Sequence, residues 1–289
     1  MPFLVAVSLM WAFSFGLTKT MLRGMDGTTI SVIRLALALL VFLPFLRWRG
    51  LSGGTAAMLT FIGAMQFGLM YLALNHSYPH LAAHEIVLFT VTTPIFVTLF
   101  ADALDRTWRR QAFAAALLAV AGTAVTVAKS ANIASAVTGI ALMQASNLAF
   151  AIGQVLYKRL RAQQPALRDR EVFALLYAGG LAIAVFAALI RDGWTTPTGA
   201  QLWTLIYLGA IASGLGFFLW NVGATRVSAG TLAVMNNAKI PLGIACSLLF
   251  FHEQADVPRL LLGGALLAAS VWLAQTSAKR RPSPDPGKN

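Results

Sequence analysis

YLALNHSYPHLAAHEIVLFTVTTPIF, read from Tyr71 to Phe96, has a faint second copy in FLWNVGATRVSAGTLAVMNNAKIPLG, read from Phe218 to Gly243. Superposing Pro94 on Pro241, an offset of 147 positions, also lays Ala82 on Ala229 and Val87 on Val234. The likeness spans two apolar stretches and their linker. If each copy belongs to a five-helix unit, an odd number of crossings separates them, and the second unit enters the membrane from the opposite face. Inverted repeats of this kind build a transport path at their interface.

Working outward, composition excludes a soluble fold. The chain is 58% hydrophobic and 11% charged, with a mean hydropathy of +0.72; average soluble domains hold less apolar and far more charged residue. About 20 apolar residues cross a bilayer as a helix. Ten stretches qualify or nearly so: Phe3–Leu22, Thr28–Leu46, Thr55–Asn75, Ala82–Ala101, Ala112–Ala128, Ala136–Tyr157, Val172–Ile190, Leu202–Gly223, Ala229–Phe251 and Leu260–Gln275. No run of short alternating strands suggests a barrel. The expected fold is therefore an all-α integral membrane protein of ten transmembrane helices, arranged as two inverted five-helix repeats around a central cavity. Its units are residues 1–130 and 131–277, followed by a disordered tail, 278–289, in the Pro-rich, charged end KRRPSPDPGKN.

The net charge of +12 suggests nucleic acid in a soluble chain, but its distribution here points to lipid. Most Lys and Arg follow the even-numbered stretches: Arg47 and Arg49; Arg106, Arg109 and Arg110; Lys158, Arg159, Arg161, Arg168 and Arg170; Arg226; and Lys279, Arg280, Arg281 and Lys288. Basic loops stay in the cytoplasm, so both termini are expected inside a bacterial-type inner membrane. Lipid headgroups and a small-molecule substrate are the expected partners, with no nucleic acid, and the protein as a monomer or homodimer. The lone Cys246 lies in an apolar stretch and reads as packing. Phe3 opens the first stretch without a basic leader or cleavage site, so no removable signal is expected. Short loops and the lack of a phosphate-binding glycine loop leave no place for a nucleotide domain.

Other motifs carry a resemblance. LMWAFSFGLTK at Leu9–Lys19, Arg34 early in the second stretch, TTPIFVTLF at Thr92–Phe100 and KIPLGIACSLLFFHEQ at Lys239–Gln254 resemble the ten-helix EamA-type members of the drug/metabolite transporter superfamily over residues 1–277. The first copy departs from the pattern, with Arg106 where the second has Glu253. HLAAHEIVLFTVTTP at His80–Pro94 is most similar to the superfamily's aromatic amino-acid exporters, in which a His and a Glu precede the proline at the same spacing. That resemblance implies outward movement of amino acids down a gradient.

Read independently, Pro94 and Pro241 each remove a backbone donor from a helix, and both are candidate gating hinges. Glu85, Phe89, Thr92 and Phe96 share a helical stripe in the fourth stretch; Leu232, Asn236, Lys239 and Gly243 are its counterpart in the ninth. A lysine facing acyl chains costs about 2.5–3.5 kcal/mol, so the stripes are expected to face a cavity. There Lys239 could meet a substrate carboxylate and Glu85 an ammonium; alternatively Lys239 pairs with another polar side chain. Trp11 and Ser14 share a face of the first stretch with Thr18, and Asn147 lies in the sixth beside Gln144 and Gln154.

The substrate-binding candidates are thus Trp11, Ser14, Glu85, Phe89, Thr92, Asn147, Asn236 and Lys239. His80, His84 and Glu85 are candidates for proton or ion coupling, although histidines at a helix start are also commonly just solvated. Two histidines at i and i+4 can ligate a metal, but with no third ligand in view no metal or cofactor is expected, and no catalytic residue. Arg34 reads either as a snorkelling anchor or as half of a structural ion pair.

The expected function is an inner-membrane exporter of amino acids, aromatic or apolar preferred, working by alternating access. The alternatives are a multidrug, nucleoside or sugar-linked metabolite carrier of the same superfamily, a membrane metal or haem protein using the histidines, and a water-filled channel.

Overall fold

A computed structural model describes residues 2–106, 114, 117–119, 121–122, 125, 133–191, 193–227 and 229–279, without the side chains of 229–234, 236–238, 271 and 274–279. The described residues form helices and connecting turns, with no strand among them. Among the described residues nine helices can be followed from end to end, α1 (Pro2–Met21), α2 (Gly27–Phe45), α3 (Gly53–Ser77), α4 (Ala83–Leu104), α5 (Ile133–Gln163), α6 (Asp169–Leu189), α7 (Gly199–Thr225), α8 (Ala229–Leu249) and α9 (Val257–Lys279), and the isolated described residues between α4 and α5 are helical as well. The first seven are each long and apolar enough to cross a membrane. Most of the expected fifth stretch, Ala112–Ala128, the boundary at 130 and most of the tail lie outside the described residues.

Helix starts are fixed by side chains that satisfy otherwise orphaned backbone donors. Asp26 accepts from the Thr28 and Thr29 amides ahead of α2, at 2.8 and 3.0 Å. Ser52 does the same for α3 through Thr55, and Thr198 with Gln201 boxes the start of α7. The outward faces are apolar and exposed, as at Leu40, Phe186, Leu189, Leu261 and Trp272. Such a surface is stable against acyl chains and not in water.

Glycines set the closest crossing. A Cβ on Gly63 of α3 would stand 1.8 Å from the Leu176 carbonyl oxygen of α6, and one on Gly179 of α6 would stand 1.9 Å from the Thr60 oxygen. The two backbones touch, as small residues permit in membranes.

The packing is reciprocal between the two halves. α1 packs on α8 and α7, while α5 packs on α4 and α3. Likewise α3 packs on α6 and α7 on α2, while α2 and α6 cross each other at the centre. Two irregularities are reciprocal as well: a π-helical segment interrupts α3 at Ala64–Leu69 and α7 at Tyr207–Leu215.

Candidate functional site

Helices α1 to α5, α7 and α8 line a cavity of about 60 Å³, room for a few waters. Trp11 and Ser14 reach it from α1, Arg34 from α2, and Met70 and Tyr71 from α3. Thr90 and Thr93 of α4, Asn147 and Phe150 of α5, Phe217 of α7 and Lys239 of α8 complete the wall.

Two cations dominate its chemistry. Lys239 is 6% exposed, with its Nζ 5.0 Å from the Trp11 ring centre and 5.9 Å from that of Trp220. Among the described residues it makes no ion pair, so the faces of two indoles are its electrostatic support. Arg34, 4% exposed, donates from Nε to Ser213 Oγ at 3.2 Å and from Nη2 to the Tyr71 hydroxyl at 2.9 Å. It too lacks a carboxylate partner among the described residues. Among the described residues no Asp or Glu lines the cavity. Buried cations require compensation.

The irregular backbone holds these groups in place. A π-helical segment leaves carbonyls without their usual partners. In α7 the indole N–H of Trp11 donates to the Ala212 oxygen at 2.9 Å, and the Tyr177 hydroxyl to the Ser213 and Gly214 oxygens. Trp11 is thereby pinned with its ring toward Lys239. In α4 a tight 3-10 turn, Thr90–Thr92, precedes Pro94. Asn147 Nδ2 donates to the Phe89 oxygen at 2.9 Å and to Thr92 Oγ1 at 3.0 Å, bracing that turn from α5.

Of the residues singled out from sequence, Trp11, Ser14, Asn147 and Lys239 meet at the cavity. Phe89 and Thr92 stand behind its wall; Phe89 is fully buried and Thr92 donates to Gln144. The Asn236 side chain lies outside the described residues. Glu85 differs most from expectation. It is absent from the cavity wall and accepts from the Ala82 amide at 2.9 Å, because a carboxylate in the first turn of a helix satisfies a backbone donor of its own element. Pro94 follows the 3-10 turn, whereas Pro241 sits inside the continuous helix α8. Thr18 is buried on α1 and back-bonded to Ser14.

Arg34, Tyr71 and Ser213 are the site residues that sequence reasoning missed. An available signal was that arginine deep in an apolar run, with a tyrosine in the next, requires a buried partner. The two histidines are also placed. His80 Nδ1 is 2.8 Å from Ser135 Oγ, and His84 Nδ1 is 2.8 Å from Glu253 Oε2.

Each end of the cavity is crossed by a layer of contacts. At one end Lys19 donates to the Tyr78 and Leu81 carbonyls, while Glu253, in the α8–α9 linker, accepts from the Ala83 and His84 amides at 2.8 and 3.0 Å. Burial pushes the Glu253 carboxyl up, but the hydrogen bonds from His84 and the two amides outweigh it and hold the group below its ordinary range. At the other end, near Arg168 and Arg226, the rings of Phe42, Phe67, Phe173, Tyr177 and Phe218 pack together, with Phe67 stacked on Tyr177 at 4.9 Å.

Comparison with known proteins agrees with this architecture. The EamA-like transporter family matches residues 1–128 and 137–275. A probable biotin transporter of Pseudomonas aeruginosa is 43% identical, over 94% of this chain and 96% of its own. The biotin transporter of Salmonella typhimurium is 39% identical, over 98% and 99%. A probable terminal-alkyne amino-acid exporter of Streptantibioticus cattleyicolor is 25% identical, over 99% and 97%. A solved crystal structure aligns over 96% of both chains with a TM-score of 0.65 at 18% identity, a likeness of fold alone. With nearly its whole length matched, the chain belongs to the EamA-like transporter family and is a multi-pass membrane transporter.

Proposed function

We propose that this transporter carries biotin, held by its carboxylate between Lys239 and Arg34. The observation that carries the reading is the pair of buried cations on one wall with no acidic residue beside them. An amino acid brings an ammonium as well as a carboxylate, and the wall offers that ammonium no countercharge. A monoanion with an apolar body suits it better: the carboxylate meets the cations, and Phe150, Phe217 and Trp11 meet the chain and ring. The names of the relatives at 39% and 43% identity support the same substrate.

In this reading the halves 1–130 and 131–277 are inverted repeats rocking about the central cavity, so that it opens to one face at a time. The reciprocal packing of α1 on α8 and α5 on α4 supports it. The aromatic end carries Arg47, Arg168 and Arg226, and the positive-inside rule assigns it to the cytoplasm. The Lys19 and Glu253 end then faces outward, across a bacterial inner membrane.

The test is exchange in proteoliposomes loaded with unlabelled biotin and offered labelled biotin outside. Saturable accumulation is expected, inhibited by desthiobiotin and unaffected by biotinamide, which lacks the carboxylate, or by phenylalanine. Exchange of phenylalanine without biotin restores the amino-acid reading; equal inhibition by biotinamide removes the cation site.

A further inference from the structure

Met70, Phe150 and Phe217 line the cavity from α3, α5 and α7. One helical turn from each, always toward the end that carries Arg168 and Arg226, stands a buried polar residue: Gln66, Gln154 and Asn221. Gln66 and Asn221 pair through both amide groups, at 3.0 and 3.3 Å. α5 approaches this pair closely, since a Cβ on Gly153 would fall 2.2 Å from Gln66 Cβ.

Gln154 follows on that helix, 3% exposed, and among the described residues neither its amide nitrogen nor its amide oxygen has a partner. Trp220 is fully buried, its indole nitrogen likewise lacks a partner among the described residues, and its ring is the second face near Lys239. A buried amide without a partner carries its whole desolvation penalty. These two residues stand one turn beyond the cavity floor on α5 and α7, helices that meet through Phe150 and Phe217 with ring centres 5.9 Å apart, and they favour whatever brings donors and acceptors to them.

We propose that Gln154 and Trp220, beside the Gln66–Asn221 pair, form a second, uncharged subsite for the cyclic urea of the substrate. A urea presents one carbonyl acceptor and two N–H donors. Trp220 Nε1 and the Gln154 amide nitrogen supply donors, and the Gln154 oxygen supplies an acceptor. Charge selects the carboxylate at Lys239 and Arg34; this layer selects the head group, which enters as Phe150 and Phe217 part. The proposal rests on the biotin reading, and its test separates the two.

Binding of biotin, desthiobiotin and nonanoate, a straight-chain carboxylate without a urea, is measured on purified protein by competition with labelled biotin. The parent is expected to bind biotin and desthiobiotin alike and nonanoate about tenfold or more weakly. Gln154→Leu should weaken both urea ligands about tenfold and leave nonanoate unchanged, with a melting temperature no lower than the parent's; Trp220→Phe should act in the same direction. If both variants keep the parent's ratio, or all three ligands weaken together as the melting temperature falls, the layer is structural and the proposal is overturned. A parent that binds phenylalanine and none of the three overturns the biotin reading beneath it.

Discussion

At the residue scale, Lys239 and Arg34 do different work although both are buried cations on one wall. Lys239 holds no ion pair among the described residues and leans on two indoles, so replacing it relieves a buried charge. Lys239→Met is expected to weaken biotin binding about 10- to 100-fold, the loss of a charge-assisted bond, while the melting temperature without substrate stays level or rises. Arg34 also ties Tyr71 to Ser213. Arg34→Met should therefore lower both affinity and melting temperature, by about 1–3 kcal/mol of stability. Titration calorimetry and thermal unfolding in detergent measure the two; a Lys239→Met protein that binds biotin like the parent sinks the assignment. The place of Lys239 at the cavity wall was legible in the sequence because a lysine two residues before a membrane proline has few places to go. Glu85 misled for a related reason: its charge type suited an amino acid, but a carboxylate three residues into a helix already has its own amide to serve.

Elements show where one-dimensional reasoning ends. Helix existence was readable from apolar length; of the two prolines read as hinges, Pro94 follows a 3-10 turn and Pro241 sits within continuous α8. The π-helical segments of α3 and α7 were not readable; in α7 the freed carbonyls accept from Trp11 and Tyr177, which come from distant parts of the chain. The α3–α6 crossing is similar: the glycines were visible but their partner helix was not. Gly63→Ala is expected to cost about 3 kcal/mol, as overpacking against a backbone carbonyl 1.8 Å from the new methyl has no cheap relief. Gly53→Ala, with nothing within 4 Å, should stay within about 0.5 kcal/mol of the parent. Equal melting temperatures for the two variants contradict the crossing.

The α8–α9 linker gives a pH prediction. The Glu253 carboxyl is held below its ordinary range, so its stabilising contribution is present above the unfolded value near pH 4.3 and is lost as pH falls through the lower folded value. The stability gap between the parent and Glu253→Gln should be constant from pH 8 to about pH 5.5 and close only below about pH 4. A gap that closes by pH 6 contradicts this.

At the scale of the whole molecule, composition and hydropathy were enough for the all-helical membrane class, yet they could not reveal that each end of the cavity is crossed by contacts. Those contacts join residues far apart in sequence, Lys19 to Leu81 and Glu253 to Ala83 at one end and Phe42 to Phe218 at the other. In the proposed alternating-access cycle one layer parts for loading and the other for release. If the halves 1–130 and 131–277 rock as proposed, α1 to α4 move against α5 to α9, which couples the two events. Loosening one end should therefore tighten the other. Cys246, the single cysteine of the chain, allows a direct measurement. In a Cys246→Ser background, single cysteines replace Ser77, beside the Lys19 contacts, or Val222, one turn past Phe218 in the aromatic layer. Glu253→Gln removes about 1 kcal/mol or more from the first end, which shifts the population roughly fivefold. A water-soluble maleimide should then label position 77 about fivefold faster and position 222 more slowly. Faster labelling at both positions describes a channel or a loosened bundle, and rules out coupled gates.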